Sequence, residues 1–297
     1  MDSLVQRGFA GLMTNNTRQQ TALVTGATGK TGRRVTERLT ALGVPTRAGS
    51  RSGEPPFDWQ DRSTWGPALA DVESAYVSYH PDLAAPGAVD TIDAFAAMAV
   101  GHGVRRLVLL SGRGEEEAQR CEQAVQRSGA DWTVVRSSWF NQNFSEGMFL
   151  PAVLGGEVAL PVDDVVEPFV DADDIADVAV AALTGDGHQG QIYEMTGPRL
   201  LTFSDAVGEV ARASNRDVRF VTVPLEEFLT ALASQGVPAD IVDQTRYLFT
   251  EVLDGRNAHL TDGVQRALGR EPRDFADYAN EAAATGAWAG SPAVGAG

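Results

Sequence analysis

TALVTGATGKTGRRVTERLTALG, residues 21–43, is the stretch that decides the fold of this 297-residue chain. Its first five residues form a short run rich in apolar and β-branched side chains. Three glycines follow in G-x-x-G-x-x-G spacing, and residues 33–42 then carry apolar side chains at helical spacing before Gly43 ends the pattern. A strand, a glycine-rich turn and a helix in this order predict the first unit of a parallel α/β sheet.

The glycine turn predicts a dinucleotide site. Without a Cβ atom, Gly26 can make the tight turn, Gly29 lets the backbone approach a pyrophosphate, and Gly32 lets helix and strand pack closely. The start of the helix then offers unpaired N–H groups and the positive end of its dipole to the phosphates. The spacing differs from the commoner G-x-G-x-x-G, and the alternative is an ordinary tight turn, but the strand and helix on either side favour the cofactor. The same predicted cofactor site includes Thr28, Lys30 and Thr31.

The end of the second predicted strand, residues 44–49, indicates which dinucleotide binds. An acidic residue at this position would hold the ribose hydroxyls of NAD, whereas an arginine suits the 2′-phosphate of NADP. Here the strand is followed by Ser50 and Arg51, and no acidic residue occurs before Glu54. The chemistry therefore favours NADP(H), and the alternative for Arg51 is a solvated surface side chain.

The same alternation continues along the chain and predicts a doubly wound parallel sheet. Up to residue 144 we predict strands at 75–78, 106–110 and 132–136, with helices at 91–100 and 115–127. Beyond it we predict short strands at 158–160, 168–170 and 191–195, and helices at 173–183, 204–213, 225–234, 239–252 and 274–284. This divides the chain into a flexible arm (1–20), a Rossmann-like NADP(H)-binding domain (21–150, with later strands able to join it), a smaller α/β substrate lobe (151–285) and a flexible tail (286–297).

Composition argues against several classes of function. The formal net charge of −16 repels phosphate backbones and anionic membranes, so we expect neither nucleic acid nor membrane as a partner. The single cysteine, Cys121, excludes an internal disulfide and a cysteine-based zinc cluster. No apolar run is long enough to span a bilayer and the N-terminus is a poor signal sequence, so we expect a cytoplasmic monomer or homodimer acting on a small molecule.

Several motifs together resemble one known family. The chain is similar to the atypical short-chain dehydrogenase/reductases of the NmrA-like group, with segments that resemble the ergot-alkaloid branch of festuclavine synthase-like and agroclavine dehydrogenase-like reductases. The resemblance covers about residues 20–280 and implies a doubly wound NAD(P)-binding domain, a small C-terminal substrate lobe and an oxidoreductase of secondary metabolism. The segments that carry it are GATGKTG (26–32), FDW (57–59), LLS (109–111), WTVVR (132–136), WFNQNF (139–144), PFVDADDIA (168–176), GPRLLT (197–202) and GREPRDF (269–275).

One departure from the family bears on the chemistry. Standard short-chain reductases carry Tyr-x-x-x-Lys on the helix after the serine-bearing strand, and the corresponding positions here are Gly114 and Ala118. Neither tyrosine nor lysine occurs in residues 115–127, and Lys30 is the only lysine in the sequence. Reduction of a ketone needs a proton donor for the alkoxide, whereas an iminium yields a neutral amine and a quinone or enone yields a delocalised anion. The sequence therefore favours these three substrate classes.

Polar and aromatic residues follow the predicted strands, where their carboxyl ends should line the nicotinamide site. We expect Ser111, which matches the family's strand-end serine, to be catalytic and also to bind the cofactor through the nicotinamide amide. We expect Tyr79 and His80 to be catalytic, and the alternative for all three is a loop or capping role. We expect Trp139, Phe140 and Asn143 to bind substrate, with core packing as the alternative for the two aromatic residues.

Two acidic runs have a simpler interpretation than metal binding. Asp171, Asp173, Asp174 and Asp177 stand at the start of an apolar helix with no histidine nearby, so we predict helix capping and no metal site. Residues 115–117, all glutamate, likewise indicate a charged helix start.

Two functions remain beside the reductase. A non-catalytic NADP(H)-sensing regulator of NmrA type would also lack the proton relay, and an epimerase or dehydratase would retain its cofactor through the cycle. The many apolar helix faces of the C-terminal lobe favour a substrate pocket, and therefore the reductase.

Overall fold

The computed structural model describes residues 21–289. Ten strands occur in this range, most of them short. They are β1 (Thr21–Thr25), β2 (Thr46–Gly49), β3 (Val72–Val77), β4 (Arg106–Gly112), β5 (Asp131–Ser137), β6 (Glu157–Leu160), β7 (Val166–Glu167), β8 (Gln191–Met195), β9 (Leu201–Thr202) and β10 (Arg219–Thr222). The main sheet is parallel, with the order β2-β1-β3-β4-β5-β8. This confirms the predicted doubly wound fold.

Twelve α-helices cover the sheet or build the second region. They are α1 (Lys30–Ala41), α2 (Trp65–Leu69), α3 (Ala88–Gly101), α4 (Glu116–Arg127), α5 (Asn143–Glu146), α6 (Leu150–Gly155), α7 (Ala172–Thr184), α8 (Phe203–Ser214), α9 (Leu225–Ser234), α10 (Ala239–Tyr247), α11 (Gly263–Leu268) and α12 (Phe275–Ala284). A 3-10 turn at Arg62–Thr64 and a π-helical turn at Leu248–Val252 complete the count for residues 21–289. Within that range no helix combines the length and apolarity needed to cross a bilayer.

Each face of the main sheet buries its own apolar core. Helices α3 and α4 cover one face around Phe95 and Leu107, while α1, α7 and α11 cover the other around Val35 and Ile175. Val and Leu dominate the central strands, as expected for strands buried on both faces. Because β8 and α7 come from beyond residue 150, the two halves of the chain interleave in this domain.

The second region has a separate apolar core. Here α8 packs against α12, β6 pairs with β10 in parallel, and β7 pairs with β9 in antiparallel fashion. Phe144, Phe169, Phe203 and Phe275 lie at its centre in edge-to-face contacts. Trp288 is also buried there and donates its indole N–H to the Phe144 carbonyl at 2.9 Å.

The structure corrects several predicted boundaries. A strand at 168–170 is wrong: the strand is Val166–Glu167, because Pro168 has no N–H to donate, and Val170 makes only an isolated bridge with Phe140. The predicted helix at 239–252 ends as α-helix at Tyr247, after which the backbone forms the π-helical turn. The buried Trp288 shows that the flexible tail does not begin at 286. The predicted arm, and the tail beyond 289, lie outside the described residues.

The chain order also fixes where a ligand would bind. From β1 the chain moves to β2 on one side, and then β3 and β4 continue on the other side. The carboxyl ends of β1 and β3 therefore border the point where the strand order reverses, which is the usual ligand crevice of such sheets.

Candidate active site

A groove of about 580 Å³ lies at this reversal point. Gly26 turns the chain there with φ +62°, and a Cβ at this position would lie 3.2 Å from the Ser78 hydroxyl oxygen. The groove brings together the ends of β1, β2 and β3. Its lining includes the predicted residues Gly26, Thr28, Gly29, Ser50, Arg51, Tyr79 and His80.

The start of α1 opens onto this groove. Gly29 occupies the N-cap position, no side chain caps the helix, and its first turn holds no acidic residue. The first backbone N–H groups are therefore available to an anion. Thr31 and Gly32 lie beneath the turn: a Cβ on Gly32 would come within 2.1 Å of the Gly26 carbonyl oxygen, so this glycine serves close packing.

The loop after β2 forms the far end of the groove. Arg51 is exposed there, and Ser50 lies close to Ser52, with 3.4 Å between the two hydroxyl oxygens. Asp58, from the FDW segment, also lines the groove, and its Oδ1 accepts the Gln60 N–H at 3.0 Å. The arginine is thus placed where sequence reasoning expected a phosphate ligand.

A second cavity of about 370 Å³ adjoins the groove, and Ser78 and Tyr79 line both. The predicted residues Tyr79, Ser111, Trp139, Phe140, Asn143 and Lys30 meet in it. His80 is exposed and lines the groove together with Tyr79 but not the cavity, so the structure does not bring it together with Ser111.

Ser111 is held by a buried ion pair. Its hydroxyl donates to Glu122 Oε1 at 2.7 Å, and Glu122, which is 2% exposed, binds Arg136 through its other carboxylate oxygen at 2.5 Å. Because the carboxylate only accepts, the serine's hydrogen is already committed. Ser111 can therefore accept a hydrogen bond from a ligand amide, and it is a poor proton donor.

Lys30, predicted to bind the cofactor, lines the cavity and not the groove. Its Nζ would be 2.9 Å from a Cβ on Gly147, and it forms no ion pair with residues 21–289. Burial lowers the pKa of Lys30, and the nearby Glu146 partly offsets that effect. The ammonium is thus a cation available to a ligand.

Arg113, directly after the end of β4, is a cavity residue to which the sequence assigned no role. It lines the cavity while 3% exposed, and donates to the Ser138 hydroxyl and to His259 Nε2, both at 2.9 Å. It has no salt bridge to a carboxylate among residues 21–289, and burial lowers its pKa. Its contacts tie the ends of β4 and β5 to the loop before α11.

Two carboxyl groups in the cavity were also missed. Asp82 and Glu115 both line it and hydrogen-bond to each other. Glu115 stands at the start of α4, as predicted for a charged helix start, but its side chain is buried, at 8% exposed. The exposed Glu116 and Glu117, by contrast, pair with Arg120 as a helix start predicts.

The aromatic residues pack and line the cavity together. Trp139 stacks on Phe149, with ring centroids 6.2 Å apart, and meets Phe203 edge-on at 5.5 Å. Phe140 packs against the core on the α1 and α7 side of the sheet. Core packing and substrate contact are therefore compatible for both residues.

The aspartate run at 171–177 starts α7. Asp171 caps the helix by accepting the Asp173 N–H at 2.7 Å, while Asp173 and Asp177 bind arginines of α1. Asp174, fully buried, binds Arg270 and Arg273 at 2.7 and 2.9 Å. The run holds α7 against its neighbours.

The chain is similar in sequence and in fold to known reductases. No protein-family model matches the chain. An NAD(P)H azoreductase of Xenophilus azovorans is 32% identical over 260 residues, which are 84% of this chain and 86% of that protein. An agroclavine dehydrogenase of Claviceps fusiformis is 30% identical over 279 residues, or 88% and 96% of the two chains. The crystal structure of a Citrobacter triphenylmethane reductase with NADP(H) matches with a TM-score of 0.70 at 19% identity, over 88% of this chain and 99% of that one.

Proposed function

The chain belongs to the NmrA-like group of atypical short-chain dehydrogenase/reductases and is an NAD(P)H-dependent oxidoreductase, and from this we propose that it uses NADP(H) to reduce a small cyclic or aromatic iminium, quinone or enone. The observation that carries the proposal is that the groove and the 370 Å³ cavity are neighbours that share Ser78 and Tyr79 as lining residues.

The hydrogen-bond donors that line the groove suit the phosphates of a dinucleotide. The uncapped start of α1 offers backbone N–H groups, and Ser50 and Arg51 offer side-chain donors at the far end. Gly29 is exposed and has no Cβ to keep a ligand away from the backbone. These residues would hold the pyrophosphate and the 2′-phosphate, with the nicotinamide end directed to the cavity.

A bound dihydronicotinamide supplies a hydride. The chain's own residues then orient and shield the reacting atoms: Ser111 accepts a hydrogen bond, Lys30 provides a cation, and Trp139 and Phe140 give an apolar wall. A cavity of this size and lining suits a small, largely apolar substrate.

The position expected for the family's tyrosine supports the choice of substrate class. Gly114 has φ +76°, and a Cβ there would come within 2.7 Å of the Asn257 amide nitrogen. Ala118, at the expected lysine position, is fully buried. A tyrosine relay does not fit this backbone, and iminium ions, quinones and enones depend on such a relay less than ketones do.

The cofactor part of the proposal is tested by Arg51→Ala. The guanidinium would make charge-assisted hydrogen bonds to the 2′-phosphate, so its loss should raise the Kd for NADPH by about 10- to 100-fold. The Kd for NADH, which lacks this phosphate, should change little. Isothermal titration of both dinucleotides into wild type and variant measures the two constants.

Arg105→Ala is a matched control, because Arg105 is exposed at the opposite end of β4. It should leave both constants unchanged. An Arg51→Ala protein that binds NADPH as tightly as wild type would contradict the assignment of the 2′-phosphate site.

A further inference from the structure

Asp82 and Glu115 form a carboxyl pair in the cavity without a cationic partner. Neither makes a salt bridge with an arginine or lysine of residues 21–289. Asp82 also accepts the Ala84 N–H at 2.8 Å and a hydrogen bond from the Gln244 side chain. Two carboxyl groups in direct contact share a proton, because two adjacent negative charges repel each other.

The backbone of β4 makes room for this pair. A Cβ on Gly112 would lie 2.0 Å from Glu115 Oε1, so the glutamate occupies the space that any other residue at 112 would need. Gly112 pairs in register with Ser137 of β5. The carboxyl of Glu115 is therefore held at the same two strand ends as the Ser137 side chain.

Ser137 supplies an independent sign of a ligand. Its side chain lines the cavity, is 5% exposed, and its hydroxyl has no hydrogen-bond partner within the described part of the chain. A buried hydroxyl without a partner is unfavourable, and an oxygen atom of a bound ligand would satisfy it.

We infer that the Asp82–Glu115 carboxyl pair is the proton donor of this enzyme, and that it protonates a substrate oxygen bound by the Ser137 hydroxyl. The inference rests on the proposed function and narrows it to substrates that gain negative charge on oxygen, such as quinones and enones.

The proposed reaction couples a hydride transfer to the substrate with a proton transfer from the carboxyl pair. Hydride from NADPH forms a new C–H bond on the substrate, and the electron pair of the attacked double bond moves onto the conjugated oxygen. The carboxyl pair gives its shared proton to that oxygen, so an O–H bond forms and the pair is left as two carboxylates. NADPH is oxidised to NADP⁺, and solvent returns a proton to the pair.

The surroundings keep a proton on the pair near neutral pH. Burial, the adjacent Asp82 and the hydrogen bond between the two groups raise the pKa of Glu115 to about 8. Titratable or charged neighbours come from α4, from α10 and from the loop that follows the π-helical turn: Cys121, Glu117, Tyr247 and Arg256. Lys30 and Arg113 line other parts of the same cavity.

Glu115→Gln tests the donor role with two substrates. It should lower kcat for a quinone or enone by about 100-fold or more, the usual contribution of a general acid. It should leave kcat for a cyclic iminium ion nearly unchanged, because that product needs no proton in the same step. Wild-type kcat for the quinone should fall as the pH rises through about 8, and the variant should lose this pH dependence.

A second variant and a spectroscopic readout cover structural effects. Gly112→Ala should displace the flexible end of Glu115 and reproduce the loss on quinones, while Glu116→Gln, at an exposed neighbour, should change nothing. The infrared difference spectrum between wild type and Glu115→Gln, both without substrate, should show the carbonyl stretch of a protonated carboxylic acid that only wild type has.

The results separate the two claims. Wild-type turnover of the quinone with full activity in Glu115→Gln, an equal loss on quinone and iminium, or absence of the infrared band would each overturn the donor role alone. Wild-type protein that oxidises NADPH with neither substrate would overturn the proposed function, and the donor role with it.

Discussion

Two groups of charged residues in this chain are built in opposite ways. Between α1, α7 and the segment before α12, carboxylates and arginines alternate in close ion pairs. Asp173 and Asp174 each bind two arginines and Asp177 binds three, all drawn from Arg34, Arg38, Arg270 and Arg273. In the cavity, by contrast, Asp82 binds Glu115, and the cations Lys30 and Arg113 have no carboxylate salt bridge among residues 21–289.

The difference separates charges that hold the fold from charges that remain available. A paired charge is stabilised by its neighbour and gains little from a ligand. A buried cation without a carboxylate, or a carboxyl pair that keeps a proton, lowers the stability of the folded state. Its presence therefore indicates that it serves a ligand or a reaction. The paired group therefore holds α7 against α1 and the segment before α12, and the unpaired group lines the proposed reaction site.

The largest expected effect is on the paired side, at Asp174. Asp174→Ala removes a fully buried carboxylate, leaves the Arg273 backbone N–H without its acceptor, and leaves Arg270 and Arg273 with Asp177 as their remaining carboxylate partner. We expect the free energy of unfolding to fall by about 2–3 kcal/mol, because the arginines are partly exposed and can recover some hydration. Urea unfolding measures this.

Asp186→Ala is the matched control, since Asp186 also binds an arginine but its side chain is 90% exposed. A similar stability for Asp174→Ala and Asp186→Ala would contradict the structural role of the paired group. The Kd for NADPH should be unchanged in both variants.

A smaller effect is expected from the pH dependence of the carboxyl pair. Glu115 has a folded-state pKa raised above its ordinary value of 4.5. Between about pH 4.5 and pH 8 the unfolded chain ionises this group while the folded chain keeps the proton, so the pair's contribution to stability is lost as the pH rises.

Glu115→Gln removes this titration. Relative to wild type, the variant should become more stable by roughly 1–2 kcal/mol between pH 6 and pH 8. Glu167 and Asp171 also have raised pKa values because they are buried, and their effect cancels in the difference between the two proteins. Urea unfolding at several pH values gives the result, and a difference independent of pH would contradict the shared proton.

The smallest effect is expected for an exposed pair. Arg120 binds Glu116 and Glu117 on the surface of α4, where water screens the interaction. Arg120→Ala should leave the thermal midpoint and the Kd for NADPH within experimental error of wild type. A clear loss of stability would contradict the comparison, because an exposed ion pair would then stabilise the fold as the buried pairs do.

The glycine turn and the alternation of strands and helices could be predicted from sequence because they depend on neighbouring residues. Gly26, Gly29 and the helix that follows them predict the groove. The strand ends predict a shared edge for Tyr79, Ser111, Trp139 and Phe140, because parallel strands end at one edge of the sheet. Two local predictions were wrong. The strand predicted at 168–170 does not form, because Pro168 has no N–H to donate, and the helix predicted at 239–252 becomes a π-helical turn after Tyr247.

The carboxyl pair could not be predicted, because its two members lie 33 positions apart in the sequence and meet only through tertiary packing. Glu115 resembled its neighbours Glu116 and Glu117, and only burial distinguishes it. One signal was available: Asp82 follows Tyr79 and His80 after a strand, at the edge where site residues were sought. The glycine at 112 gives no sign in the sequence that it accommodates a carboxyl group.

The most direct test of the central claim, that a dinucleotide across the strand reversal delivers hydride into this cavity, is stopped-flow absorbance of NADPH mixed with the protein and a quinone. The account predicts that the NADPH absorbance decays at a rate proportional to protein concentration, and that NADH at the same concentration reacts more slowly. A protein that leaves NADPH unoxidised with quinone, enone and iminium acceptors, or that prefers NADH, would contradict it.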